Sequence, residues 1–505
     1  MELLGFNNFQ NSKFYILYSG RLGRLSPSQR FFFVCVSFVV GVSAASFVTV
    51  PLLVVYAAAW AAVVVATLSI GRHATAATIS VAVLACLLGV ARHEVIELRR
   101  ANARVRAFVG SEQVLVGRVV SDSVPQRQSV RYHFVLSQVS GAAVVNETVS
   151  VVARPFPEVA AGDILKLRCR LELNERYGQS EVSCVFPEVI AVDTTSKSGA
   201  SKLAGLRRLF IGSLQRVFPE PAAGFVAGLL VGGRAGLPAS WREALNATGT
   251  AHLVALSGYN ITIIAGVVLS LLVQLAVPRR WRLWVVAVVL GSFVIMVGAP
   301  ASVVRAAIMG MLVVLARHLG RPSQSRNAIA FTAVVMLAIN PTLLRFDLGF
   351  QLSFLATLGI VYLFPHLERL VVRLPEWGKV KEAFLMAIAA EIFVTPLILY
   401  QFGQLSLVAP FVNALIVPPV PFIMFFGFLG GLGGFVATPL GQIVGVVAWA
   451  LSAFVLGLIE LAAALPFAAV NVVLPFWAIV CYYVALAGWL ITHDRRVKPR
   501  VVLPL

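Results

Sequence analysis

The stretch FFFVCVSFVVGVSAASFVTVPLLVVYAAAWAAVVVATLSIG, residues 31–71, contains no acidic or basic side chain and no histidine. A helix needs about 20 apolar residues to cross a bilayer, so this stretch has room for two crossings on either side of Pro51. It is too long for a signal peptide, and a third apolar segment follows from about Thr75 to Val90. The stretch therefore predicts a polytopic membrane protein that begins with three short spans.

Composition supports the same class of protein along the whole chain. Of the 505 residues, 59% are hydrophobic and only 12% are charged, whereas a soluble domain carries about 25% charged residues. We predict an N-terminal tail and spans over residues 1–92, a charged β module over 93–200, a linker helix over 201–221 and a helical bundle over 222–505. The expected fold class is a polytopic α-helical membrane protein with an inserted small OB-like β-barrel.

The net charge of +19 has two interpretations that both stay open. Cytoplasmic loops of membrane proteins are rich in Lys and Arg, and a polyanionic partner such as nucleic acid or anionic lipid also selects a basic protein. The basic residues cluster between apolar segments, which favours the first interpretation for most of them. These clusters are Arg21, Arg24 and Arg30; Arg279, Arg280 and Arg282; Arg317, Arg321 and Arg326; and Arg495, Arg496, Lys498 and Arg500.

The module over residues 93–200 shows the alternation of half-buried strands. Strands are predicted at Gln113–Val120 and Tyr132–Val139, and apolar residues alternate with charged ones from Leu165 to Leu173. A turn at Asn174–Gln179 separates that strand from a further inward face formed by Val182, Cys184 and Phe186. About five strands in such a length are typical of an OB-like barrel.

Whether this module binds DNA is not decided by its residues. Acidic and basic side chains nearly balance between residues 107 and 200, whereas a nucleic-acid groove usually shows a basic stripe with stacking aromatics. Four aromatics have the chemistry to stack on bases, although a barrel usually buries its aromatics in the core: Tyr132, Phe134, Phe156 and Tyr177.

Two of the five cysteines lie on the inward face of adjacent predicted strands. Cys169 and Cys184 are centred on the predicted turn, so a symmetric hairpin places them directly opposite each other, with Cα atoms about 4.5 to 5.5 Å apart. If the module lies in an oxidising compartment, we expect a disulfide between them. A slip by one residue would instead turn one thiol outward.

The linker over residues 201–221 has the pattern of an amphipathic helix. An apolar stripe of Leu203, Leu206, Phe210, Leu214 and Val217 is flanked by Lys202, Arg207, Arg208 and Arg216. This pattern predicts a helix that lies in the membrane interface. A basic lip that guides a polyanion would use the same residues, and the sequence does not separate the two.

Polar and helix-breaking residues interrupt the apolar bundle at specific places. Buried charges and unwound helices persist at membrane depth where they pair or line a path, so we expect a conduit there. The candidate residues are His252, Ser257, Gly258 and Asn260 in HLVALSGYN; Pro300, Ser302 and Arg305 in GAPASVVR; Asp347, Gln351 and Ser353 in FDLGFQLSF; Glu391; and Asn413. Arg305 is expected to pair with Asp347 or Glu391, because an unpaired charge in hydrocarbon is costly. The glycine series 430–434 is interpreted as a close-packing face.

At these residues the chain resembles the ComEC family of DNA-internalisation channel proteins, over nearly its whole length. The stretches that carry the resemblance are GLLVGGRAGLPASWREALNATGTAHLVALSG, GAPASVVRAA, NPTLLRFDLGFQLSFLATLGI and AEIFVTPLILYQFGQLSLVAPFVNALIVPPVP. The resemblance implies passage of single-stranded DNA across the cytoplasmic membrane in natural transformation. The resemblance implies that the candidate residues above, other than Asn260 and Ser302, belong to the family pattern, together with Gly349.

The chain departs from the family pattern in two respects. Asn260 stands where the family usually has a histidine, and asparagine cannot titrate, which puts a proton or metal role there in doubt. The chain also stops at Leu505, without the metallo-β-lactamase-like domain of many members. No zinc-hydrolase or P-loop motif occurs. We therefore expect no enzyme activity, no metal and no cofactor, and a separate DNA receptor, nuclease and cytoplasmic motor as partners.

The sequence thus favours a multi-pass DNA channel of the cytoplasmic membrane, in contact with lipid and open to oligomer formation. A small-solute or lipid transporter with broken helices is the alternative. A membrane scaffold that transports nothing is a third interpretation. With the N-terminus inside, three spans place the β module outside. The arginines that follow residue 91 then lie outside as well, against the usual charge bias.

Overall fold

The computed structural model describes residues 26–69, 74–101, 104–119, 124–125, 129–154, 159, 163–176, 179–193, 199–232, 237–254, 256, 258–318, 324–371, 379–472 and 474–494. The aromatics Phe156 and Tyr177 and the candidate site residue Ser257 fall outside these ranges, and so do the basic residues Arg21, Arg24, Arg321, Arg495, Arg496, Lys498 and Arg500. The described chain is mostly helical and carries one small barrel. The expected fold class is confirmed.

Three helices open the described chain: α1 (Pro27–Ala45), α2 (Leu52–Ser69) and α3 (Ala74–Ala101). Helix α1 starts at a capping box, in which Ser26 and Gln29 satisfy each other's backbone N–H groups and Pro27 occupies the first turn. Pro51 separates α1 from α2. Helix α3 continues past residue 92 to Ala101, and a short 3₁₀ helix at Arg104–Phe108 leads into the sheet.

The β module is a closed five-stranded barrel with two extra strands. The strands are β1 (Glu112–Val119), β2 (Val124–Pro125), β3 (Val130–Val139), β4 (Ala142–Ala153), β5 (Ile164–Arg176), β6 (Gln179–Val185) and β7 (Glu188–Asp193). The barrel runs β1-β3-β4-β6-β5 and closes from β5 to β1, with β4 and β6 parallel. This Greek-key arrangement is OB-like. Strand β2 pairs with β3, and β7 pairs with β5.

The barrel core follows the period-2 pattern of the sequence. Leu165, Leu167 and Leu171 are fully buried, and so are Tyr132 and Phe134, which are core residues and not exposed stacking platforms. Burial raises the pKa of Tyr132 to about 12, because the phenolate would lose its water.

The hairpin of β5 and β6 differs from its prediction in two ways. The strands continue through the expected turn, since Arg176 still pairs with Gln179, and Cys184 lies opposite Leu171 and not opposite Cys169. A shift of two residues keeps both cysteines on the inward face. The structure joins them in a disulfide with Cα atoms 6.0 Å apart. The expected inward position of Phe186 is wrong: this residue follows β6 at a positive φ of 48° and is exposed.

The second half of the chain is a helical bundle with several short helices. Its elements are α4 (Gly199–Val217), α5 (Ala222–Val231), α6 (Ala239–Ala247), α7 (Ala251–Val254), α8 (Gly258–Gln274), α9 (Arg279–Met296), α10 (Ala301–His318), α11 (Ser325–Ile339), α12 (Leu343–Phe346), α13 (Leu348–Leu358), a π-helical turn (Gly359–Leu363), α14 (Phe364–Leu370), α15 (Lys379–Phe402), β8 (Gln404–Ser406), α16 (Ala409–Ile416), α17 (Val420–Val436), α18 (Thr438–Ala463), β9 (Ala469–Asn471) and α19 (Phe476–Asp494). Strands β8 and β9 pair with each other.

Six helices of the described chain are long and apolar enough to cross a membrane, or seven if the bent pair α16 and α17 forms one span. These spans are Pro27–Ala45, Ala77–Phe108, Leu348–Leu370, Lys381–Phe402, Thr438–Ala463 and Phe476–His493. Shorter apolar helices include Leu52–Val65, Ala222–Val231, Gly258–Gln274, Ala301–Ala316 and Ser325–Ile339. The chain is therefore a multi-pass membrane protein in which shorter apolar helices accompany the complete spans.

The buried face of α4 differs from the predicted stripe. Phe210, Leu214 and Val217 are buried as expected, but Leu206 is exposed and Arg207 is buried in its place. The helix therefore packs against the bundle along a face that begins at Arg207. The interfacial helix and the basic lip, the two interpretations of the sequence, both place Arg207 on the polar side of α4.

The glycines of α17 form the surface on which α4 lies. A Cβ atom at Gly431 would stand 2.6 Å from the Phe210 ring, and one at Gly434 would stand 2.5 Å from the Ser213 hydroxyl. Ser213 also donates a hydrogen bond to the Gly431 carbonyl, at 2.7 Å. Only glycine permits this approach, so the close-packing interpretation holds at these two positions.

The cysteine pair of the barrel gives a first testable prediction. Mass spectrometry of the purified protein without reductant should recover one peptide that links Cys169 to Cys184. Their separation is 15 residues, so the C169S/C184S variant should lose about 3 kcal/mol of unfolding free energy in the barrel. Replacement of Cys481, an unpaired and exposed cysteine, serves as the control. Two freely alkylated thiols at 169 and 184 in protein from an oxidising environment would contradict the bond.

Candidate functional site at the broken helices

The chain breaks between α7 and α8, in the segment that the sequence marks as HLVALSGYN. Leu256 lies in this break and is buried, and the Ser302 hydroxyl at the start of α10 donates a hydrogen bond to its carbonyl at 3.1 Å. A backbone carbonyl left free by a broken helix needs such a donor, because hydrocarbon supplies none. Ser302 thus joins the first turn of α10 to the break.

Gly258, the first residue of α8, lies against the guanidinium group of Arg305. A Cβ atom at Gly258 would stand 2.9 Å from the Arg305 Nη2 atom. The glycine therefore lets the charged group approach the amino end of α8. Helix α10, which carries Arg305, also begins nearby, after exposed Pro300. The amino end of α8, with its partial positive charge, thus lies close to a cationic side chain.

The contacts of Arg305 contain no carboxylate. Its Nη1 atom donates to the Thr357 hydroxyl and lies 3.8 Å from the Met309 sulfur, and its Cζ atom lies 5.9 Å from the centre of the Phe354 ring. The Nε atom is buried and has no hydrogen-bond partner among the described residues. Among the described side chains, the expected ion pair with Asp347 or Glu391 is not formed. The positive charge of Arg305 is therefore not neutralised by a neighbouring side chain of the described structure.

Asp347 and Gln351 organise the turn before α13 and do not contact Arg305. Asp347 caps α13 by accepting a hydrogen bond from the Phe350 N–H at 2.6 Å, and Gln351 Nε2 donates to the carbonyls of Leu344 and Arg345 at 2.9 and 2.8 Å. Both side chains satisfy backbone groups at a helix junction. A carboxylate at a helix amino end is also favoured by the helix dipole, which explains why Asp347 needs no arginine.

A family comparison bears on this arrangement. The competence protein family's sequence profile matches residues 229–496. This range includes α8, α10 and α13, the break between α7 and α8, and the helix junction before α13. The chain belongs to the competence protein family. Its similarity to "ComE operon protein 3" of Bacillus subtilis (strain 168) is 26% identity over 231 residues, 46% of this chain and 29% of that relative. The chain therefore matches less than a third of that relative's length. No solved structure matches.

Three of the remaining candidate site residues lie on three different helices of the bundle. Asn260 is fully buried and donates through Nδ2 to the Leu229 carbonyl at 3.0 Å. His252 is exposed, and its Nδ1 lies 3.0 Å from the Gly249 carbonyl oxygen. Asn413 is buried near the bend between α16 and α17, and its Oδ1 has no hydrogen-bond partner. Asn260 therefore lies in the first turn of α8, close to Gly258 and Arg305, whereas His252 belongs to α7 and Asn413 to α16.

Ser353 and Glu391 have different surroundings. The Ser353 carbonyl accepts a hydrogen bond from the Thr357 hydroxyl at 2.8 Å, and this bond orients the oxygen that Arg305 contacts. Glu391 is half-buried in α15 and forms no hydrogen bond or ion pair with a described residue. The structure therefore connects Ser353 to Arg305 through Thr357, and it leaves Glu391 apart.

Pro396 lies inside α15 and explains a contact that the sequence did not predict. A proline inside a helix has no N–H for the carbonyl four residues earlier, which here is Ile392. The Tyr482 hydroxyl of α19 donates to this carbonyl at 2.9 Å, and the Tyr483 hydroxyl donates to the next one, Phe393, at 2.7 Å. Two adjacent tyrosines thus replace the interaction that proline removes from α15.

Four contributors to the site region were missed at the sequence level: Arg207, Thr357, Tyr482 and Tyr483. Each acts on a group that lies far away in the sequence, so local patterns contain no sign of the partner. The nearest available signal was Pro396, which predicts a free carbonyl at Ile392 and hence a donor from another helix.

The proline contact yields a prediction with a built-in control. Tyr482→Phe should lower the free energy of unfolding in detergent by about 1 kcal/mol, because the Ile392 carbonyl loses its donor. In a Pro396→Ala background the loss should shrink, since alanine restores the missing backbone N–H. Tyr400→Phe, which removes a hydroxyl of α15 with no hydrogen bond in the structure, serves as the matched control. Equal losses from Tyr482→Phe in both backgrounds would contradict the proposed link between the tyrosine and the proline.

Proposed function

We propose that this chain forms the path by which single-stranded DNA crosses the cytoplasmic membrane in natural transformation. Membership of the competence protein family supports this function. The multi-pass bundle with broken helices supplies the kind of structure in which irregular backbone lines a path.

The surroundings of Arg305 are the observation that carries the proposal. An arginine held by a hydroxyl, a sulfur and an aromatic ring keeps its positive charge available to an anion. The adjacent amino end of α8 adds to the positive potential. A phosphate chain passing such a point is attracted by a single charge and is not held by a cluster, so it can also leave.

A small-solute or lipid transporter would also use broken helices. The family match favours DNA over that alternative, because breaks alone do not select a substrate. In this proposal the DNA receptor, the nuclease and the cytoplasmic motor are separate proteins, the bundle is surrounded by lipid, and several copies of the chain are free to assemble.

The barrel is proposed to lie on the extracytoplasmic side. Ser28 at the start of α1 bonds to Gln324 and Asn327 at the start of α11, and Arg345, which follows α11, donates to the Ser46 carbonyl at the end of α1. Helices α1 and α11 therefore run in parallel. Counting back through α10 and α9 brings the arginines 279–282 to the side where α1 starts. Helix α3 ends in the barrel on the other side. By the positive-inside rule, the side that carries the start of α1 and the arginines 279–282 is the cytoplasmic side in this proposal.

The function is tested by replacing Arg305. Arg305→Ala should abolish uptake of labelled DNA in cells that depend on this gene, while the protein still inserts and stays folded. Arg305→Lys should retain part of the uptake, because lysine keeps the charge but not the planar geometry. Arg280→Ala removes an exposed arginine far from the breaks and should leave uptake unchanged. Near wild-type uptake by Arg305→Ala would count against the proposed path.

The orientation is tested by cysteine labelling in a background that lacks Cys35, Cys86 and Cys481. Ser140 lies in an exposed turn of the barrel, and Arg280 lies at the exposed start of α9. An impermeant maleimide should label Ser140→Cys in intact spheroplasts, and should label Arg280→Cys only after lysis. The reverse pattern would place the barrel in the cytoplasm.

A further inference from the structure

Helix α5 is short and buried along its whole length. All ten of its residues are buried, from Ala222 to Val231. A helix end normally leaves four N–H groups or four carbonyls to water or to a cap. The carboxyl end of α5 is buried through Gly232, so its carbonyls need donors from other parts of the chain.

Two side chains from different helices supply the donors at the carboxyl end. Arg207 of α4 donates from Nε to the Val231 carbonyl at 2.9 Å and from Nη2 to the Gly232 carbonyl at 2.7 Å. Asn260 of α8 donates to the Leu229 carbonyl at 3.0 Å. The positive charge of Arg207 also opposes the partial negative charge at this end of the helix.

The amino end of α5 is compensated by the opposite charge. The Glu220 carboxylate lies just before the helix and accepts a hydrogen bond from the Gly224 N–H at 3.2 Å. A full negative charge therefore stands at the positive end of the helix dipole, and Arg207 stands at the negative end. This charge order is what a short, fully buried helix requires.

The capped end of α5 lies directly on the break before α8. A Cβ atom at Gly228 would stand 2.6 Å from a methyl carbon of Val254, and one at Gly232 would stand 2.6 Å from a methyl carbon of Leu256. Gly258 then follows, and it contacts Arg305. Asn260 therefore bonds the end of α5 to the same first turn of α8 that lies against Arg305.

We propose that Arg207 and Asn260 are positioning residues that form one shared cap on α5 and thereby hold the start of α8 against Arg305. Residue 260 acts in this role as a fixed hydrogen-bond donor. A donor that does not titrate is sufficient there, which is why an asparagine serves. The part of this inference that concerns DNA passage rests on the proposed function.

The test compares variants that keep the volume of each side chain but remove its donors. Asn260→Leu should reduce DNA uptake about tenfold at a temperature where the protein stays folded, the factor that corresponds to one unsatisfied buried carbonyl. Arg207→Met leaves two carbonyls without a donor and should reduce uptake by at least the same factor. Each should also lower the unfolding midpoint in detergent. Arg207→Lys keeps the charge and one donor group, and should restore part of both. Thr332→Val is the matched control, because Thr332 is buried in α11 and its hydroxyl donates within its own helix, to the Ala328 carbonyl.

The double variant decides whether the two residues share one cap. Once either donor is lost, the end of α5 is already loosened, so the double variant should lower the midpoint by less than the sum of the two single changes. Full additivity would overturn the shared cap. A lowered unfolding midpoint together with wild-type DNA uptake would overturn the positioning role. An Asn260→Leu protein with unchanged midpoint and unchanged uptake would also overturn it. If the wild-type chain supports no uptake, the proposed function fails, whereas the midpoints still decide whether the cap exists.

Discussion

Hydrocarbon offers no hydrogen bonds, so every carbonyl released by a broken or short helix inside a membrane must find a donor within the protein. In the described part of the bundle, several such carbonyls receive a side chain from a distant segment. Ser302 serves the break at Leu256, Arg207 and Asn260 serve the end of α5, and Tyr482 serves the carbonyl freed by Pro396. The polar side chains of the bundle are therefore best understood from the breaks they satisfy.

This constraint separates two arginines that look alike in the sequence. Arg207 directs its Nε and Nη2 donors at backbone carbonyls and compensates a helix dipole, so its charge is used within the fold. Arg305 contacts a hydroxyl, a thioether and an aromatic ring, none of which carries a negative charge. Holding a cation in this way costs free energy that a structural role would not require. The difference in partners is the physical reason to assign Arg305, and not Arg207, to an anionic substrate.

Periodic features of the fold could be predicted from the sequence, and contacts between distant segments could not. The alternation from Leu165 to Leu173 predicted the long barrel strand, because burial of every second residue is a local pattern. The register that pairs Cys184 with Leu171 depends on how far the hairpin extends, which the turn residues did not reveal. The partners of Arg305 were missed for a similar reason. A charge pattern suggests a carboxylate, whereas the fold brings Thr357 to it instead.

The N-terminal helices complete the bundle, although the family profile begins only at residue 229. Arg92 of α3 donates to the carbonyls of Ala338 and Ile339 at the end of α11, and Arg345 donates to the Ser46 carbonyl at the end of α1. These bonds hold the segment that leads to the Asp347 cap and hence to α13, which carries the Thr357 partner of Arg305. Because α3 also continues into the barrel, the barrel and the bundle are joined through the same helix. The structural unit around Arg305 is therefore larger than the part of the chain that the family profile matches.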